Sequence, residues 1–451
     1  DSKKRAGKSG WQEQTQSIFA SVEVGWKQML YLTVTGRNDW ASQLAESPES
    51  SFFYPSVGLS WVPTSLWDMG RALTYLKIRG SIASVGMPFP RHLTIPTYEY
   101  DATNKVWTAK THYPIGDLYP ERTRTYELGL DARLWRHLSL PASWYWADTY
   151  NQTFDPQIPV SSGYSTIYLQ TGHVRNTGVE LSAGYDNTWR DFRWATNFTF
   201  SWNKNEIVEL VHNYKHPETG EIISKDRLEI KGLGKAKYIL KPGGTLGDLY
   251  TNSDLVYNRE GFIEVDKSGN VAVKDDYMED IYLGSVFPKY NLAWRNDFSW
   301  KGLNLGVLFT ARIGGICYSA TQANMDLYGV SEASAAARDA GGVIINGRQT
   351  IDAQKWYQAI GAQSGLPQYY TYSATNFRLQ ELSLGYTLPA KWFRDKMRMT
   401  VSFVGRNLWM IYCKAPFDPE AVASTGLNYQ GIDYFMMPSL RSLGFSVKFQ
   451  F

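Results

Sequence analysis

Cysteine is nearly absent: only Cys317 and Cys413 stand in 451 residues. That scarcity excludes a disulfide-rich scaffold, and with no Cys-x-x-Cys or Cys/His spacing it offers no zinc site. The two read as unpaired structural thiols. No stretch of about 18 uncharged apolar residues occurs, so no transmembrane helix is expected, in keeping with a mean hydropathy of -0.36. Crossing a membrane by strands stays open. Charge of one sign is missing too. The 46 basic residues nearly balance the 43 acidic ones, leaving +3, and their scatter sets nucleic acid aside as a partner. The opening DSKKRAGKSGWQEQTQ carries no apolar segment of the secretory kind. The chain is therefore expected to be a mature protein or a fragment of one. What is abundant is aromatic surface, 15% of residues with 17 Trp and 30 Tyr, more than core packing requires.

The recurring signal is alternation with the strand period of two. One row holds Ile18, Ala20, Val22, Val24 and Trp26; after a turn at Lys27 and Gln28 the next holds Leu30, Leu32 and Val34. Others read Val57, Leu59, Trp61; Tyr126, Leu128, Leu130; Leu138, Leu140, Ala142, Trp144, Trp146; and Leu303, Leu305, Val307, Phe309. The intervening positions hold the charges, among them Arg79, Glu127, Asp131, Glu180, Arg295, Asp297, Glu381 and Arg406. A basic residue facing lipid at mid-depth costs about 2–4 kcal/mol, so this segregation is what a barrel wall in a bilayer requires.

Short links near 27–28, 63–73, 135–137, 187–191, 300–302 and 388–396 alternate with long ones at 39–53, 85–123, 149–175, 204–288, 314–375 and 408–439. Tight turns on one side and large loops on the other are the asymmetry of an outer-membrane barrel, with the short side periplasmic. Trp26, Trp61, Trp146, Trp202 and Trp300 fall at strand ends, where the interfaces of the membrane would be. The expected fold is all-β, a transmembrane antiparallel barrel. On that reading residue 1 lies outside the cell and the C-terminus is periplasmic. An odd number of strands, about 13, is expected to be the C-terminal portion of something larger, because bacterial barrels close with an even count.

Several stretches resemble the barrel of SusC-like (RagA/SusC) TonB-dependent transporters, nutrient importers of the Bacteroidota outer membrane. They include YLTVTGRNDW, SFFYPSVGLSWV, LKIRGSIASVG, PERTRTYELGLDARL, VRNTGVELSAGY, NFRLQELSLGYTLPAKW, VSFVGRNLW, the DPE at 418–420 and the ending GFSVKFQF. The resemblance implies a plugged barrel of about 22 strands, whose first strands, plug domain and TonB-binding segment lie outside this chain. It implies import of glycan or peptide fragments, energised by TonB, beneath a SusD-like surface lipoprotein acting as a lid, in dimers of SusC–SusD pairs. It also makes the last strand, with Phe445, Val447, Phe449 and Phe451, the barrel-assembly signal. A passive porin or an adhesin-type barrel is the alternative.

No nucleophile elbow and no H-E-x-x-H occurs, so enzyme chemistry finds no residues to carry it, and no cofactor is expected. The stretch 265–280 is the nearest thing to a metal loop. Asp266 and Asn270, with Asp275 and Asp276, are weak candidates, since the glycine falls too early and no Glu closes the loop. His212 and His216 are four apart without helical periodicity, and KGLGKAK and KPGGTLG lack the order of a phosphate loop. Substrate contact is expected from aromatics of the long loops, which can stack on sugar rings or pack peptide side chains. These are Trp107, Tyr113, Tyr119, Trp356, Tyr357, Tyr369, Tyr370, Tyr434 and Phe435. Packing among the loops is the competing role for each.

Overall fold

The computed structural model describes residues 10–94, 98–101, 105–109, 112–113, 118–154, 166–167, 169–215, 222–362, 364–394, 396–424, 426 and 429–450. Thirteen long strands form one antiparallel sheet in sequence order. They are β1 (Thr15–Trp26), β2 (Leu30–Ala41), β3 (Ser51–Trp61), β4 (Leu73–Met87), β5 (Glu121–Leu134), β6 (Leu138–Phe154) and β7 (Leu169–Trp189), followed by β8 (Phe192–Glu209), β9 (Tyr290–Trp300), β10 (Leu303–Ile313), β11 (Asn376–Thr387), β12 (Arg398–Cys413) and β13 (Ser442–Gln450). Every neighbour in the sheet is also a neighbour in the chain, so each pairing forms by simple return of the strand, without crossover.

The register places the apolar rows side by side. Val22, Val34, Val57, Ile82, Tyr126 and Trp146 are successive partners from β1 to β6. Trp194, Phe298, Leu305, Leu384, Phe403 and Phe445 run likewise from β8 to β13. A one-residue slip anywhere would send polar side chains onto this face, so the pattern itself pins the register. Many of these side chains are exposed, including Ile82, Leu128, Trp294, Leu384 and Phe445, which in water would be an aggregation surface and in lipid is a solvated one. Along β9 the interface aromatics Tyr290 and Trp300 end the strand. Ten steps of about 3.3 Å at a tilt of about 40° make an apolar band roughly 25 Å tall, the height of a bilayer core.

Polar side chains are few in that band: Thr196 stands opposite Asn296 in register, and Asn187 lies between Tyr185 and Trp189. Asn296 occupies the row between Trp294 and Phe298 and is buried. Its carbonyl oxygen accepts a hydrogen bond from Trp194 Nε1 at 3.2 Å, so the indole both covers and satisfies it.

The strands run further on the long-loop side than the alternation suggests. β2 and β3 continue to Ala41 and Ser51 through much of the 39–53 link, and β6 and β7 extend through part of 149–175. The extension was hidden because the outward row changes character there. Beyond Trp146 it holds Asp148, which pairs in register with Arg124 and Arg175. Asp148 accepts from Trp146 Nε1 at 2.7 Å and Arg175 Nε at 2.9 Å, and lies 2.7 Å from His173 Nε2. Charge in the row marks the edge of the apolar band, not the end of the strand.

On the opposite side the turns are tight and carry unusual backbone. Lys27 and Gln28 have φ of 49° and 53°, Trp135 and Arg136 48° and 66°, and Lys301 and Gly302 45° and 92°. Positive φ at both central positions suits the right-handed twist of a two-residue hairpin, a role in which Asn and Gly lead. An L residue with a side chain pays about 1–2 kcal/mol for it.

The buried core does not lie in the sheet. It is formed above the upper strand ends, where the long connections pack on one another. Val174 and Ile207 from β7 and β8 meet Leu228, Ile230, Tyr238, Leu249, Tyr318, Ile360, Tyr370 and Ile432. A four-stranded sheet from residues 228–231, 237–240, 248–251 and 281–285 and a three-stranded one from 316–319, 371–373 and 432–433 give this layer its frame. Three short helices complete it: α1 (Ala320–Leu327), α2 (Glu332–Asp339) and α3 (Ala353–Ile360). Each is capped by the residue before it, Ser319, Ser331 or Asp352, whose side chain accepts a backbone N–H of the first turn.

Candidate functional site: a charge-paired wall under a packed loop layer

The face of the sheet opposite the apolar rows is polar, and several of its charges are paired in place. Arg79 on β4 reaches Asp131 at 3.0 Å and Glu127 at 3.2 Å, both on β5. Gly129 lies between those carboxylates, and a Cβ there would come within 2.5 Å of Arg79 Nε. The glycine therefore makes the room in which the guanidinium lies. A hollow of about 420 Å³ adjoins it, bordered by Arg79, Ser143, Glu180, Ser182, Thr199 and Asn291. A second group links three strands, β9, β11 and β12: Arg295 sits 2.8 Å from Asp297 and 3.3 Å from Glu381, which Arg406 also meets at 3.1 Å. Near the upper end of β2, Asp39 accepts from Arg37 at 2.7 Å and from the Tyr54 hydroxyl at 2.5 Å.

The upper layer is tied to this wall by a buried ion pair. Arg378 on β11 donates to Asp418 at 3.1 Å and lies 3.2 Å from Glu420, the first and last residues of the DPE stretch. Burial pushes Asp418 up, but Ser439, the Glu420 backbone N–H and Arg378 together hold it below the ordinary carboxylate range. The arrangement ties the DPE stretch to β11.

The candidate ligand aromatics divide. Tyr370 is instead a core residue, 2% exposed; its hydroxyl lies beside the Asp326 carboxylate without a hydrogen bond of good geometry. Burial raises its ionisation well above the usual phenol range, and raises that of Tyr369 as well. Trp356 and Tyr357 pack against the same core, and Trp356 meets Tyr369 edge-on at 5.9 Å. Four others are open to solvent. Trp107 is 66% exposed on a hairpin of Tyr98–Asp101 and Val106–Ala109, with its ring 5.0 Å from Tyr100. Tyr119 is exposed with its backbone N–H held by Gln170. Tyr434 and Phe435 are exposed and meet edge-on at 5.2 Å. The backbone of Tyr113 pairs with Ile167, while its side chain lies outside the described residues. So do Phe451 and His216. Phe445, Val447 and Phe449 stand on β13, paired with Phe403, Val401 and Met399 of β12.

The acidic residues offered as weak metal ligands are used up locally. Asp266 accepts from the backbone N–H of Ser268 and of Asn270, each at 2.8 Å, and from the Asn270 side chain at 2.9 Å. These bonds, led by Asn270, hold Asp266 below the usual carboxylate range. Asp275 is 2.6 Å from Lys235, and Asp276 accepts from Asn252 at 3.2 Å. Among the described residues no three acidic, His or Cys groups converge as metal ligands do. The 265–271 segment is a turn held by its own Asp and by Lys355, which donates to the Ser268 carbonyl. Cys317 is a buried free thiol, pushed up to about 12 by burial, hence unreactive.

Comparison with known proteins agrees with this architecture. Residues 4–408 match the family model described as TonB dependent receptor-like, beta-barrel. TonB-dependent receptor P3 of Formosa agariphila is 25% identical over 96% of this chain and 45% of its own length. TonB-dependent receptor SusC of Bacteroides thetaiotaomicron is 21% identical over 83% of this chain and 38% of its own. The chain thus spans less than half the length of these curated relatives. Among solved structures, the RagAB peptide transporter superposes with a TM-score of 0.69 at 18% identity, over 97% of this chain and 47% of that one. Wall, register and family model converge: the chain belongs to the TonB-dependent receptor β-barrel family of the outer membrane.

Proposed function

We propose that this chain forms wall and loops of a SusC-type importer for oligosaccharide or peptide fragments. TonB would energise it through a plug domain in the part of the protein outside this chain, and a SusD-like surface lipoprotein would close over the loop layer, with two such pairs in the assembly. The short turns and the end of β13 would then be periplasmic. The observation that carries the reading is the polar face, where Arg79 and Arg295 are each held by two carboxylates, while the reverse face is uncharged and mostly apolar across the band, its few polar side chains, such as Asn296 and Thr196, hydrogen-bonded within it. Exposed Trp107, Tyr119, Tyr434 and Phe435 on the loop side supply flat surfaces for a sugar ring or a peptide side chain. The Formosa and SusC likenesses support this reading, and RagAB, similar in fold, is a peptide transporter.

The test is uptake. Cells carrying the full-length gene with its neighbouring lipoprotein gene are offered labelled oligosaccharide and peptide pools, with and without TonB. Accumulation that vanishes without TonB supports active import. Accumulation that continues unchanged overturns it in favour of a passive pore.

A further inference from the structure

Four hairpin turns repeat one short pattern. Trp26-Lys27-Gln28-Met29, Trp135-Arg136-His137-Leu138, Trp189-Arg190-Asp191-Phe192 and Trp300-Lys301-Gly302-Leu303 each give an indole, a cation, a free position and an apolar residue. All four lie on the short-turn side of the sheet. In all four the cation has positive φ, at 49°, 66°, 54° and 45°. Turn chemistry prefers Asn or Gly at such a position, so the hairpin does not by itself account for Lys or Arg four times over.

Ion pairing does not account for it either. Among the described residues Lys27, Arg136 and Arg190 make no salt bridge, and Lys301 has only Asp191 at 3.9 Å, both side chains largely in solvent. Elsewhere in the chain the opposite holds, for Arg79, Arg295 and Arg378 each meet two carboxylates. The two lysines lie against indoles instead. Lys27 Nζ is 4.8 Å from the Trp26 ring centroid and Lys301 Nζ 5.6 Å from that of Trp300. Across all the short links, residues 27–29, 62–72, 135–137, 190–191, 301–302 and 388–397, eight Lys or Arg face three Asp.

Depth completes the argument. Trp26, Trp189 and Trp300 end apolar rows and are exposed, which sets them at the membrane interface. The next Cα is about 3.8 Å further on, at the level of the headgroups. We propose that these turns form a collar that binds the phosphates of anionic phospholipid headgroups in the leaflet on the short-turn side. The ammonium or guanidinium group meets the phosphate, while the indole lies at the acyl boundary beneath it. Because the collar lies at the foot of the apolar face, strands that complete the barrel do not cover it.

The experiment is native mass spectrometry of the full-length transporter, delipidated in detergent and titrated with equal amounts of phosphatidylglycerol and phosphatidylcholine. The intact protein is expected to retain phosphatidylglycerol preferentially, by about fivefold or more. The combined variant Lys27→Asn, Arg136→Asn, Arg190→Asn, Lys301→Asn is expected to lose that preference, while its melting temperature holds or rises, since Asn accepts positive φ. Lys↔Arg exchanges at the same four positions should keep the preference. Equal retention of both lipids by the intact protein, or an undiminished preference in the Asn variant, overturns the collar. Neither result depends on whether the transporter imports anything.

Discussion

Arg378 and Asp418 are 3.1 Å apart with side chains only 5% and 8% exposed, and they join the wall to the loop layer. Removing one partner leaves the other charged and buried. Arg378→Ala or Asp418→Ala is expected to destabilise the seating of residues 414–441 by about 3–5 kcal/mol, read as faster hydrogen exchange there than in β5 and β6. Arg378→Met with Asp418→Leu should be milder than either single change. The pair also has an acid limit. Because the native carboxyl titrates below its unfolded value, its contribution is complete above about pH 4 and lost as pH falls through the lower native value. Protection factors in 414–441, corrected for the pH dependence of intrinsic exchange, should therefore hold between pH 7 and 5 and fall below about pH 4.

Asn296 tests the apolar face. Trp194→Phe removes the indole N–H that donates to its carbonyl oxygen and is expected to cost about 1–3 kcal/mol, measured by urea unfolding of the barrel in lipid. Asn296→Leu combined with Trp194→Phe should recover most of that loss. If Trp194→Phe alone were neutral, Asn296 would have to be satisfied from another source.

Tyr370 and Trp107 separate packing from contact with solute. Tyr370→Phe should leave uptake unchanged and shift stability by no more than about 1 kcal/mol, since its hydroxyl forms no good hydrogen bond to lose. Trp107→Ala should leave folding intact and weaken solute binding by roughly 1–2 kcal/mol if the exposed ring stacks on cargo. Isothermal titration with the imported pool reads both.

Phe445 on β13 meets Phe403 on β12 at a ring distance of 5.6 Å. A charge at this depth of the apolar face, as in Phe445→Lys, is expected to cost about 2–4 kcal/mol and to lower the amount of folded barrel seen as a heat-shifted band on gels. Lys448→Gln, on the other row of the same strand, should have no such effect. Normal assembly of the Phe445 variant would remove the assembly role from this strand.

The wall was legible because a strand between lipid and a polar lumen must alternate, as the run Leu138 to Trp146 does; a soluble sandwich alternates too, and the regular exchange of short and long links decided between them. Its faces and register followed from the same period. The strand ends were not legible, because past Trp146 the outward row turns to Asp148 and Arg175, and alternation of apolar with polar is lost while hydrogen bonding continues. The helices carried faint signals: Ser331 before the Ala-rich stretch 333–337, and Asp352 before α3 with Gly361 after it. At eight residues each, they are too short for helical periodicity to stand out. The loop core was invisible for a different reason. It joins Val174 to Ile432 across much of the chain, and no local pattern announces such a meeting. Arg378 was hidden in the same way, since its partners stand 40 and 42 residues downstream.

A core placed above the wall, and not within it, gives the molecule two solvents and two kinds of cohesion. The wall keeps its shape against lipid; the mouth keeps its shape against water, through its own buried tyrosines and leucines. Much of the freedom of those long connections has thus been lost in folding, before any solute arrives. On the proposed importer reading, a solute docking there would meet a rim of settled form and need not order it, so selectivity would be set by fit to a fixed mould more than by closure of these loops around the guest.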